Sequence, residues 1–217
     1  MNKIYVWDPV VRVFHWLLVV SFVVAYLTGE DESVIHSYAG YVILALIITR
    51  IVWGFIGSKY ARFSSFITSP ATAIQYLKTL VRNQHTRRYL GHNPAGGWMI
   101  LALFLGLGMT IFSGLQLEAL EGRGPLAQFT ASWTTERKAV IQVATANESK
   151  HALVRVKDDH EKEEEEGEEL WEEIHEFFAN FTVLLVLLHI AGVIFSSLRE
   201  KENLVRAMIS GYKQSSD

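Results

Sequence analysis

The sequence predicts an all-α membrane protein: a four-helix transmembrane bundle, with helices over about 12–29, 34–56, 95–117 and 174–198. Three observations lead there. Half of the 217 residues are hydrophobic. Charge is sharply segregated: residues 13–29, 95–117 and 177–198 contain no Asp, Glu, Lys or Arg, and 33–57 contains only Arg50. Each block approaches the roughly 20 residues that cross about 30 Å of hydrocarbon as a helix. Finally, the blocks lack the polar face that each helix of a water-soluble bundle would show.

The first block has 17 uncharged residues, the short end for a span, so its helix is expected to borrow from residues 10–12. It does not read as a cleavable signal. His15 and Trp16 interrupt its apolar run, and Gly29-Glu30-Asp31-Glu32 stands where a small-residue cleavage site belongs. Only a few residues separate it from the second block, which makes the two helices antiparallel neighbours. In the next loop Ser69-Pro70 has the form of an N-cap followed by proline at the first helical position. Ile74, Leu77, Leu80 and Val81 then alternate with Gln75, Lys78 and Arg82, the pattern of a short interfacial helix or of a structured loop. His92-Asn93-Pro94 marks the start of the third helix, and His92 or Asn93 has a second reading as a hydrogen-bond partner for a quinone carbonyl or a propionate.

Between the third and fourth helices lies an extended insertion, 118–173, placed outside the cytoplasm. It holds a β-prone run at 139–143, a mixed patch at 152–156 and a strongly acidic stretch at 158–173. A small strand-containing lobe and disorder both fit it. The acidic stretch reads either as a docking surface for a lysine-rich partner or as a solvated spacer. With no internal repeat and no second domain evident, residues 1–217 read as a single transmembrane domain carrying this insertion.

Four crossings put both termini on one side. That side collects Lys3, Arg12, Lys59, Arg62, Lys78, Arg82, Arg87, Arg88, Arg199, Lys201, Arg206 and Lys213, whereas the short opposite loop has Glu30, Asp31 and Glu32. Positive-inside reasoning therefore places both termini in the cytoplasm of a bacterium, with the chain in the inner membrane. The seven Lys/Arg of 118–173 weigh little, since long loops translocate regardless of charge. The absence of cysteine excludes a disulfide, an iron–sulfur cluster and covalently attached haem.

Ionisable side chains are costly in lipid and usually mark function there. His175 and His189 are 14 residues apart, close to four turns, so one helix presents both on nearly one face, roughly 21 Å apart. His15 lies 13 residues below the outer rim of the first helix, and His36 stands at the mouth of the second. Depth therefore pairs His36 with His175 near the outer face, and His15 with His189 toward the inner face. No other pairing between different helices is low in strain. One membrane histidine alone would read as a packing or proton-relay residue; two depth-matched pairs point to two non-covalent bis-histidine haems. Such centres have no open coordination position and suit electron transfer. Arg50, 14 residues after His36, returns to the same face at the inner depth, where a haem propionate would balance its charge. Gly40, Gly106, Gly108, Gly114 and Gly192 would admit a macrocycle or a close helix. His85, His151 and His160 lie in polar segments and read as surface residues.

These residues have a familiar order. Trp7-Asp8-Pro9, Arg12-Val13-Phe14-His15-Trp16, His36-Ser37-Tyr38-Ala39-Gly40, Arg50 with Trp53-Gly54-Phe55, Gly91-His92-Asn93-Pro94, Ser113-Gly114, and His175 with His189 together resemble the prokaryotic cytochrome b561 family. That family includes the b-type cytochrome subunits of nickel–iron hydrogenases. The resemblance covers about residues 5–117 and 171–213, while 118–170 departs from the short loop usual in the family. It implies a four-helix di-haem quinone oxidoreductase of the cytoplasmic membrane, with His15 and His189 on one haem and His36 and His175 on the other.

The function expected is electron transfer between the quinone pool and a periplasmic redox partner such as a c-type cytochrome. The alternative is an anchoring and electron-transfer subunit for a hydrogenase-type or other peripheral oxidoreductase. Membrane lipid, quinone or quinol, and that partner are the expected associates; a homodimer is compatible, and nothing points to nucleic acid. A passive anchor would be colourless. A transporter or proton channel would need membrane carboxylates, and Glu176 at a rim is the only one present.

Overall fold

The computed structural model describes residues 3–29, 33–82, 89–128 and 150–214, with side chains from residue 166 onward in the last of these. The order is β1 (Lys3–Tyr5), α1 (Pro9–Leu27), α2 (Val34–Ile56), a 3-10 turn (Phe63–Ser65), α3 (Pro70–Val81), α4 (Pro94–Leu120), α5 (Lys150–Glu200), α6 (Leu204–Ser210) and β2 (Tyr212–Gln214). Helices α1, α2, α4 and the Glu166–Glu200 part of α5 are long and apolar enough to cross a membrane. Leu27, Phe55 and Leu198, each more than two-thirds exposed, sit on these helices as lipid-facing residues do. The chain divides into two units, Met1–Gly108 with Phe181–Asp217, and Met109–Asn180.

In the first unit, α1 starts where the sequence makes a helix start cheap. Pro9 occupies the first position, and the Asp8 carboxylate accepts the Val11 N–H at 3.0 Å. The same carboxylate accepts the Trp53 indole N–H at 3.2 Å and the Ser58 hydroxyl at 2.5 Å. Asp8 therefore ties α1 to the far end of α2, against which α1 packs. Burial alone would raise its pKa, but the hydrogen bonds from Ser58, Val11 and Trp53 outweigh burial and hold it below the usual value. Arg12, inside the expected span boundary, reaches out of it: Nη1 donates to the Ile209 carbonyl at 2.6 Å.

The two termini are joined by a clasp for which the sequence carried no signal. Strands β1 and β2 pair antiparallel, Lys3 with Gln214 and Tyr5 with Tyr212. The Val6 and Trp7 N–H groups both donate to the Gly211 carbonyl. Beneath it Val6, Trp7, Val11, Ala61 and Ala207 form a buried cluster. The ammonium of Lys213 lies 3.7 Å from the Glu202 carboxylate, both side chains at most 5% exposed. The termini thus meet, which an even number of crossings allows.

The segment after residue 70 is a helix, with Ser69 accepting the Thr72 N–H as its cap. It buries Ala73 and Tyr76 and exposes Ile74, Leu77 and Val81. The last helix differs from expectation. It begins at Lys150, not near 174, so the 152–156 patch and the acidic stretch are helical. Glu and Lys bar a segment from lipid but are good helix formers; the end of the apolar span is not the end of the helix. The β-prone run at 139–143 lies outside the described residues.

Candidate haem-binding sites

His15 on α1 and His189 on α5 come close together within the first unit. Their ring centroids are 6.5 Å apart and the ring planes meet at 58°. Bonds from a first-row metal to imidazole nitrogen are about 2 Å long, so two rings on opposite sides of one metal ion have centres about 6 Å apart. The observed spacing fits two imidazoles that would share one metal ion. Both rings are partly buried, and neither makes a hydrogen bond among the described residues.

Arg50 is 3% exposed, despite its charge. Its Nη2 donates to the Ala61 carbonyl at 3.0 Å, and the guanidinium lies 5.3 Å from the Phe63 ring centre. Gly54 makes that arrangement possible, because a Cβ there would overlap the Phe63 ring. Nη1 is enclosed with no hydrogen-bond partner among the described residues. A buried cationic donor with nothing to bind is costly unless an anion completes it.

His36 starts α2, where Ser33 caps the helix by accepting the His36 backbone N–H at 3.3 Å. Its ring Nδ1 is 2.9 Å from the Ala25 carbonyl in the last turn of α1. A carbonyl can only accept, so Nδ1 carries the proton and Nε2 the lone pair that a metal uses. His175, in the second unit, also has its Nδ1 in a hydrogen bond, from a different source. Its Nδ1 is 3.1 Å from the hydroxyl of Ser113, which is wholly buried on α4.

The glycines separate into two groups. A Cβ at Gly106 would stand 2.7 Å from the Thr182 hydroxyl, and one at Gly114 3.0 Å from the His175 ring. Gly40, Gly108 and Gly192 would meet nothing within 4 Å among the described residues. Gly40 follows His36 by about one turn, and Gly192, which is exposed, follows His189 by three residues.

The helix entry expected at His92-Asn93-Pro94 is present. Asn93 Oδ1 accepts the Gly96 N–H at 2.7 Å and caps α4. The His92 ring is wedged between Trp7 and Phe66, at 4.6 and 4.8 Å between centres. Burial, and then the charges of Arg50 and Lys213, push its pKa down to about 3, so it is neutral. Its Nδ1 is enclosed and has no partner among the described residues. His85, and the side chains of His151 and His160, lie outside the described residues.

Sequence reasoning missed two things here. Ser113 stands out in the sequence only as part of a motif, since a serine 62 positions before a histidine carries no periodic signal. The junction of Asp8 with Trp53 and Ser58 was likewise hidden, since its three residues come from segments that only the fold brings together.

The family model described as prokaryotic cytochrome b561 matches residues 6–211. The chain is 24% identical to a probable Ni/Fe-hydrogenase B-type cytochrome subunit of Bradyrhizobium diazoefficiens, covering 99% of this chain and 87% of that protein. Proteins of the same description from Rhodobacter capsulatus and Azotobacter vinelandii are each 22% identical over 100% of this chain, and over 83% and 90% of their own lengths. No solved structure matches the chain. Helices of membrane length and this match together define a multi-pass membrane b-type cytochrome of electron transfer, with haem b as its group. The chain belongs to the prokaryotic cytochrome b561 family.

Proposed function

We propose that this cytochrome holds two non-covalent b-type haems and carries electrons between the quinone pool and an oxidoreductase partner outside the cytoplasm. The observation that carries the proposal is the 6.5 Å separation of the His15 and His189 rings, the spacing of two axial ligands. His15 and His189 are the ligands of one haem, and His36 and His175 those of the other. In support of the second set, both rings have Nδ1 engaged by a hydrogen bond, which turns ligation to Nε2. A bound haem supplies a one-electron iron couple, and two imidazoles leave it no open position for oxygen chemistry. Arg50 offers its enclosed Nη1 to a propionate of the His15–His189 haem. The chain sits in the inner membrane with both termini in the cytoplasm, supported by its basic terminal side.

One observation favours the hydrogenase-type partner over a c-type cytochrome: the relatives reported above are described as Ni/Fe-hydrogenase cytochrome subunits. Tagged chain isolated from its native membranes should bring down a metal-containing oxidoreductase subunit; recovery of a c-type cytochrome in its place would reverse that preference. The quinone link has its own test. Quinol added to the oxidised, purified protein should reduce its haem within the mixing time of a manual assay, and a spectrum unchanged by quinol would refute it.

A further inference from the structure

We propose that Ser113 is a positioning residue for His175, and that it gives the haem bound through His175 a lower reduction potential than the haem bound by His15 and His189. The proposal rests on the di-haem reading above and goes beyond it, assigning a tuning role to a side chain that would touch neither iron nor porphyrin.

Proton bookkeeping at one hydroxyl carries the argument. Ser113 Oγ lies 3.1 Å from His175 Nδ1 and 2.9 Å from each of two carbonyls, those of Met109 and Thr110. The carbonyls can only accept, so the single hydroxyl proton goes to one of them. What Ser113 has left to offer His175 is a lone pair, and Nδ1–H is therefore the donor. Serine commonly bonds a carbonyl one turn back in its own helix, which explains the Met109 contact by itself. It does not explain why the hydroxyl is completely buried against an imidazole. Nor does it explain the neighbouring glycine: a Cβ at Gly114 would stand 3.0 Å from His175 Cε1 and 3.3 Å from Nδ1. Serine and glycine together form a seat shaped for this ring.

A hydrogen bond donated from Nδ1 makes the imidazole a more basic ligand through Nε2. A more basic ligand favours ferric over ferrous iron. His15 and His189 receive no such bond among the described residues. The buried guanidinium of Arg50 lies about four turns along α2 from His36, on the order of 21 Å, whereas its charge reaches the same buried His92 that His15 and His189 reach; it favours the added electron at their haem instead. Both effects separate the two potentials in the same direction.

The test is a spectropotentiometric titration of the purified full-length cytochrome, alongside Ser113→Ala, Ser113→Thr and His175→Ala. In Ser113→Ala, one component should move toward the ferrous form by about tenfold in its reduction equilibrium, about 59 mV for one electron. The other component should stay in place. Ser113→Thr, which keeps the hydroxyl, should restore the original value, and the component that moved should be the one missing from His175→Ala. Should the alanine variant not assemble, Ser113→Cys, close in volume but a weak acceptor, should shift the same component upward. Unchanged potentials in whichever of these variants assembles, or a shifted component that persists in His175→Ala, would overturn the role of Ser113. Fewer than two haems in the unmodified protein would be a separate failure, that of the di-haem reading.

Discussion

The four membrane histidines are held in two different ways. His15 and His189 have no hydrogen bond to their rings among the described residues; helix packing alone presents them to one another, in a unit that also buries Arg50, Asp8 and Lys213. His36 and His175 are each pinned at Nδ1, one by a backbone carbonyl and one by a buried hydroxyl. Fixing an imidazole through its second nitrogen also sets its basicity, whereas fixing it by packing leaves charge nearby as the means of tuning. The difference teaches that histidines repeated at matched depths need not be held, or tuned, in the same way.

Removing a ligand should have the largest effect. His15→Ala and His189→Ala should each abolish the same one of two haems, and His36→Ala and His175→Ala the other, read by pyridine haemochrome and low-temperature spectra. Loss in a crossed pattern, such as His15 with His36, would break the comparison at its base.

The next test concerns the charges buried elsewhere in the first unit. Lys213→Ala removes the cation 3.7 Å from the buried Glu202 carboxylate and should cost about 3 kcal/mol, measured by denaturant unfolding in detergent. Asp8→Ala takes away a helix cap and two side-chain hydrogen bonds, with an expected loss of about 2 kcal/mol. If either variant matched the parent, these contacts would not organise the first unit.

His92 should give the smallest effect over the working range. Its pKa in the fold, about 3, is below the ordinary 6.5, so the unfolded chain binds the proton first as pH falls. Stability is therefore complete above about 6.5 and declines toward about 3, by up to about 1.4 kcal/mol for each unit. His92→Phe should flatten that part of the profile; an unchanged acid slope would show that the ring titrates normally.

The fold was largely legible because lipid imposes length and polarity limits that sequence blocks display directly: the spans containing His15, His36 and His189 fall where the charge-free or, with Arg50, nearly charge-free runs do. Helix depth, a matter of counting, paired His15 with His189, and the structure brings those two together. The start of α5 was not legible, because polarity locates the membrane boundary and says nothing about where a glutamate-rich helix stops. Nor was the clasp of β1 with β2, whose three-residue strands are too short for any periodicity to register. Ser113 escaped for a related reason. Its role depends on which helix face meets His175, a fact of packing that spacing along one helix does not contain.

Haem content of the purified protein from haem-replete cells is the most direct measurement. Two protohaems per chain are expected, low-spin and six-coordinate in both oxidation states. A preparation with one haem, or with no Soret band, would contradict the paired-imidazole architecture.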